Sequence, residues 1–171
     1  MKKTFFFFCL WLTGCASHGP LSPVPPIDLP QFMGKWYVIA HIPTFVETEA
    51  FNAIEVYELN DDGTIDIQFS FNDQSQTGPF KSYNFKAFVD NKQNSQWNVQ
   101  PIWPIKADYK ITYLDASFKH TVIARQKRDY VWIMARTPQV SEVDYLGMVK
   151  HIESIGYDVN KLRTIPHEID E

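Results

Sequence analysis

Between positions 34 and 136 the chain alternates apolar and polar residues in short runs, each closed by turn-forming residues. The first run, 34–40, places Trp36, Val38 and Ala40 on one side of a strand and Lys35, Tyr37 and Ile39 on the other. A second strand covers 51–59 and ends at the turn Asn60-Asp61-Asp62-Gly63. The third, 64–71, has the cleanest pattern, with Ile65, Ile67, Phe69 and Phe71 alternating with Thr64, Asp66, Gln68 and Ser70. A fourth spans 80–89 with Tyr83, Phe85, Ala87 and Val89 on one face, and a fifth, 96–103, carries Trp97, Val99 and Trp103. Pro101 and Pro104 put the end of the fifth strand at an edge or a bend. Strands six to eight follow at 108–115, with Tyr109, Ile111 and Tyr113 in period two, then at 118–125 and 129–136. Eight short strands joined by short turns predict an all-β fold, an eight-stranded up-and-down antiparallel barrel wide enough for one small ligand. A sandwich is the alternative. Trp36, beside Gly34, is large enough to plug one end of the barrel.

The period then changes. Ser141 and Asp144 resemble a capping box, and Tyr145, Met148, Val149, Ile152 and Ile155 form a helical stripe that Gly156 terminates. The stripe predicts one C-terminal helix packed on the outside of the barrel. The 44–50 connection contains Phe45 and Val46, too apolar for a purely solvated loop, and reads as a lid or a wall over an opening.

Composition narrows the partners. The 171 residues suit one domain, and an aromatic content of 15% favours strands and broad apolar surfaces. A net charge of −4 without a basic block argues for no nucleic acid partner. At the N-terminus, Met1-Lys2-Lys3 and a short apolar run lead to Leu12-Thr13-Gly14-Cys15, which resembles a lipobox. Residues 1–14 are then a lipoprotein signal peptide, and Cys15 carries diacylglycerol and palmitate. An ordinary secretory signal with a chance cysteine is the alternative. Loss of Cys9 with the signal leaves no thiol pair for a disulfide. By resemblance to lipoprotein sorting, Ala16 rather than Asp after the cysteine implies the periplasmic side of the outer membrane. Residues 15–30, rich in proline, read as a semi-rigid tether, with a Pro-rich recognition peptide as the other reading. The barrel domain is 31–171.

Catalytic constellations are absent from the sequence: it contains neither Gly-x-Ser-x-Gly nor a Walker loop, and no metal-ligand spacing. The expectation is a non-enzyme with no cofactor and no metal.

Three separated motifs carry a family resemblance. They are Gly34-Lys35-Trp36 with Tyr37 and Ile42-Pro43-Thr44-Phe45; Leu114-Asp115 with Phe118, which keeps only Asp115 of the usual Thr-Asp-Tyr; and the 129–138 run through Arg136. With them, the chain resembles the lipocalins, in the bacterial outer-membrane lipoprotein and apolipoprotein D branch, over roughly 29–162. The resemblance implies structural roles for Gly34, Trp36, Asp115 and Arg136, with the Arg136 guanidinium stacked on Trp36 at the closed end. Parity from that pair points Val38, Ala40, Trp132 and Met134 inward. The more aromatic faces of the other strands add Tyr57, Phe69, Tyr83, Phe85, Trp97, Tyr109, Ile111 and Tyr113 as ligand-binding candidates. Tyr57 and Trp132 match pocket positions of the apolipoprotein D branch; each of the others is otherwise a packed core residue. The implied ligand is a fatty acid or lysophospholipid, in lipid storage or transport and envelope maintenance. The rivals are an adaptor lipoprotein with a side-chain-filled barrel and an enzyme acting on an apolar ligand. The sequence leaves a homodimer open.

Overall fold

The computed structural model describes residues 19–45 and 47–168, so Cys15 and the predicted signal peptide lie outside it. Eight strands run up and down: β1 (Gly34–Ile42), β2 (Ala50–Leu59), β3 (Thr64–Asp73), β4 (Phe80–Val89), β5 (Gln96–Ile102), β6 (Ile105–Leu114), β7 (His120–Ala124) and β8 (Val131–Ala135). Each pairs with the next, and β1 pairs with both β2 and β8, which closes an antiparallel barrel. Two short pieces frame it. Helix α1 (Leu29–Phe32) lies at the closed end, and β9 (Arg163–Thr164) pairs with β1 at Ala40 and His41.

Closure is incomplete on one side. β4 and β5 pair only from Lys86↔Gln100 to Val89↔Trp97, and the upper half of β4 has no partner on β5. The cause is local chemistry. Pro101 has no N–H to give to a ladder, and the register between Val99 and Ile102 breaks. The result is a lateral gap toward the end opposite Trp36.

Apolar side chains divide between two cores. The inner one fills the barrel, with Phe32, Trp36, Tyr57, Phe71, Trp97 and Ile111 among its buried members. The outer one joins Ile42, Val122, Ala124, Val131 and Ile133 to Met148 and Ile152 of α2 (Glu142–Ser154). Ser141 caps α2 by accepting from the Asp144 N–H at 3.2 Å, and its hydroxyl donates to the Asp144 carboxylate at 2.6 Å. Full burial of each large side chain stabilises by about 1.5–3 kcal/mol, so the stripe is sufficient reason for the helix to dock.

Two β-bulges overturn the predicted parity. The β1–β8 register shifts between Val38 and Ala40, so Ala40 turns outward into the outer core and His41 takes the inward place opposite Trp132. The β6–β7 register shifts between Ile111 and Tyr113, and Tyr113 packs outside against His151 of α2 at 5.7 Å between ring centroids. One inserted residue reverses a face.

The expected tether is also corrected for 19–30, which is laid on the barrel wall. Leu21 is buried and its N–H donates to Gln126 Oε1 at 2.9 Å; the Val24 N–H donates to the Ile111 carbonyl at 2.8 Å. Ile27 exchanges two hydrogen bonds with the Asn94 side chain, at 2.8 and 2.9 Å. The prolines keep this segment extended, but Leu21, Val24, Ile27 and Leu29 give it apolar contacts with both cores.

Candidate ligand-binding site

The floor is built from the first and last motifs. Trp36 is fully buried, and its indole N–H donates to the Phe32 carbonyl at 2.8 Å. The Arg136 guanidinium lies 3.8 Å from the Trp36 ring centroid. It donates to the carbonyls of Lys35 at 2.7 Å, Gln31 and Phe32 at 2.9 Å, and Phe118 at 3.3 Å. Burial pushes the Arg136 pKa down to about 10, so it stays charged at neutral pH. Gly34 enters the floor at φ +88°, a conformation a side chain would strain. Asp115 ties the β6–β7 turn together, accepting from the Lys119 N–H at 2.7 Å and bonding His120 Nδ1 at 3.0 Å. These four residues hold the closed end.

Above the floor, Val38, Tyr57, Phe69, Trp97, Tyr109, Ile111 and Met134 are buried in the inner core, with Tyr83, Phe85 and Trp132 half-buried against it. The aromatic rings form two stacks. Trp97 lies parallel to Tyr109 at 5.0 Å, and Tyr109 to Trp132 at 6.5 Å. On the far wall Phe71, Tyr83 and Phe85 stack at 6.2 and 6.4 Å. Ala40 and Tyr113 take no part.

The interior also contains ionisable groups that a search for aromatic faces passes over. Glu55 is only 8% exposed and shares the inward face of β2 with Tyr57, opposite Trp36 across the ladder. The Tyr57 hydroxyl donates to the Glu55 carboxyl and lies 2.5 Å from the Tyr109 hydroxyl. Burial, with the Glu47 charge adding to it, pushes the Glu55 pKa up to about 8, so the group is largely protonated at neutral pH. Burial, with Glu55 nearby, also raises the Tyr109 pKa well above its ordinary value. Glu47, in the 44–50 connection, is buried, and its carboxylate lies 3.6 Å from His41 Nδ1. His41 is itself fully buried, and neither ring nitrogen has a hydrogen-bond partner among the described residues. The connection therefore turns a carboxylate into the barrel and leaves Phe45 exposed. Glu55 could have been found by carrying the two-residue period back from Tyr57. The His41–Glu47 contact needs the bulge in β1 and has no sequence signal.

A cleft of about 760 Å³ lies on the outer flank beside the gap between β4 and β5, between the outward side chains of Val56, Glu58, Asp66, Gln68, Asn84 and Lys86 and the 100–103 end of β5, with Ile67 and Phe85 at its base.

Comparison with known proteins bears on this architecture. A lipocalin-like domain matches residues 27–167. The chain belongs to the lipocalin-like family. It is 31% identical to temperature-induced lipocalin-1 of Arabidopsis thaliana, over 85% of this chain and 82% of that protein. It is 28% identical to outer membrane lipoprotein Blc of Citrobacter freundii, over 82% and 84% respectively. Among solved structures, insecticyanin of the tobacco hornworm Manduca sexta superposes with a TM-score of 0.66 at 14% identity, covering 91% of this chain and 87% of that one. That likeness concerns the fold. It places this lipocalin among eight-stranded barrels with a helix outside.

Proposed function

We propose that this lipocalin binds fatty acids or lysophospholipids and holds them for storage or transport in envelope maintenance. In this reading it is anchored by lipid on Cys15 to the periplasmic face of the outer membrane. The observation that carries the ligand reading is the aromatic-walled interior above the Trp36 floor. Each methylene of an acyl chain moved from water onto such walls contributes about 0.8 kcal/mol. The polar groups decide the orientation. Glu47 and Glu55 are buried there, and among the described residues no Lys or Arg is fully buried. An anionic head therefore stays at the mouth, and the tail goes inward. The name of the Citrobacter relative, an outer membrane lipoprotein, supports the location.

A chain beginning at Gly19 retains every described contact of the barrel and suits a binding test. Titration with a fluorescent fatty acid or lysophospholipid is expected to saturate. A folded β-sheet spectrum with no saturable binding would refute the ligand reading and favour the rival of a filled barrel, to which the packed cluster of Phe32, Trp36, Tyr57 and Trp97 already lends weight. For the anchor, Cys15→Ser is expected to abolish incorporation of labelled palmitate, and incorporation that persists would refute it.

A further inference from the structure

The ionisable groups inside the barrel are short of hydrogen-bond donors. Glu47 and Glu55 are 2% and 8% exposed, and His41 is fully buried on the inward face of β1. Among the described residues neither ring nitrogen of His41 has a hydrogen-bond partner. A neutral imidazole that turns Nδ1 toward the Glu47 carboxylate at 3.6 Å carries its proton there, which leaves Nε2 as an acceptor. The other Glu47 oxygen accepts from the Thr44 N–H at 3.1 Å, which holds the carboxylate in place. The phenols are already committed. The Tyr57 hydroxyl gives its one proton to Glu55, and Tyr109 donates to Tyr57 at 2.5 Å. Free acceptor positions thus remain on Glu47, Glu55 and His41, and among the described residues no Lys or Arg is fully buried to meet them.

These groups share one side of the interior. His41 lies on β1, Glu55 on β2 opposite Trp36, and the 44–50 connection between those strands carries Glu47. The Glu47 charge acts on Glu55, so the two carboxyl groups belong to one electrostatic cluster. The facing wall of Phe69, Phe71, Tyr83 and Phe85 is apolar. Glu55 is level with Trp36, five residues along β1 from His41, and therefore about 15 Å deeper in the barrel. That depth suits an unbranched alkyl chain lying on the apolar wall with a polar head at the bottom.

We propose that Glu55, with Glu47 and His41, forms an ammonium subsite, and that this lipocalin takes long-chain primary amines with the head inward and the chain toward the mouth. The subsite rests on the interior admitting a ligand, as proposed above, and it reverses the orientation that a fatty acid adopts. A primary ammonium brings three N–H donors to the three acceptor groups, whereas a carboxylate brings none. Burial keeps Glu55 largely protonated at neutral pH, and a cation beside it favours the carboxylate. Binding therefore converts the Glu55 carboxyl and the free ammonium into an ion pair and one proton released to solvent.

The chain beginning at Gly19, titrated calorimetrically at pH 7 with decylamine and with decanoate, compares two heads on one chain length. Decylamine is expected to bind at least about tenfold tighter, because it makes charge-assisted hydrogen bonds that decanoate cannot. It should release about one proton per molecule bound, read from the difference in heat between phosphate and Tris buffers. Glu55→Gln keeps the side-chain shape and should leave the circular dichroism spectrum unchanged. It is expected to weaken decylamine at least about tenfold and abolish the proton release, with decanoate affinity changed by less than about twofold. Decyltrimethylammonium has the charge without N–H donors and should bind at least about tenfold more weakly than decylamine. Equal loss of both ligands in Glu55→Gln, decylamine binding without proton release, or equal affinity for the quaternary amine would overturn the subsite. Saturable binding of decanoate with none of decylamine would overturn the subsite alone. Absence of binding by either would remove the ligand reading along with it.

Discussion

Replacing Glu55 by Gln isolates a carboxyl group that the barrel keeps largely protonated. The side chains have the same shape, and the amide can still accept from the Tyr57 hydroxyl, but it cannot ionise. Glu55 titrates at about 8 in the folded protein against 4.5 as its ordinary value. Below pH 4.5 both folded and unfolded chains carry the proton, and the group adds no pH-dependent penalty. As the pH rises, the unfolded chain releases the proton while the folded chain retains it, and the unfolded state gains. Above pH 8 both are ionised and the penalty is constant. A gap of 3.5 between those two values corresponds to about 5 kcal/mol at most, entering at about 1.4 kcal/mol per pH unit. Urea unfolding of wild type and Glu55→Gln at pH 5, 6, 7, 8 and 9, followed by tryptophan emission, measures the difference directly. The two proteins should lie within about 1 kcal/mol of each other at pH 5. The variant should become progressively more stable than wild type, by several kcal/mol, at pH 9. A difference that stays flat across this range would refute the picture of a buried, protonated Glu55.

Two further substitutions probe the floor and the parity. Arg136→Lys loses the planar fork that reaches four carbonyls and leaves several of them unpaired, and it should destabilise by about 2–4 kcal/mol in the same urea assay with little change in ligand affinity per folded molecule. Ala40→Leu overpacks the outer core and should cost about 1–3 kcal/mol of stability while leaving ligand affinity unchanged, because Ala40 belongs to the outer core and not to the interior. Loss of affinity in a folded Ala40→Leu protein would return that residue to the barrel wall.

The strands themselves were legible because their cause is local. A strand half-buried in a barrel must alternate, and Ile65, Ile67, Phe69 and Phe71 do so on the inward side of β3. The α2 stripe was readable for the same reason, since Met148 and Ile152 recur at helical spacing and are the residues buried. The floor was legible through the motifs, where Trp36 and Arg136 are a hundred positions apart and yet in contact at 3.8 Å. The reading failed where one residue was added to one strand. The bulges at Val38/Ala40 and Ile111/Tyr113 leave the alternation intact in the letters and reverse it in space.

By itself, then, the sequence determined the eight barrel strands and their order, the C-terminal helix, the residues of the floor and a largely aromatic interior, because each follows from periodicity or from a motif, whereas the short α1 and β9 carry no such pattern. Tertiary structure alone decided that Ala40 and Tyr113 face outward, that residues 19–30 pack against the wall, and that Glu47 meets His41 inside the barrel. Those outcomes depend on register and on the pairing of segments far apart in the chain, which no local pattern encodes.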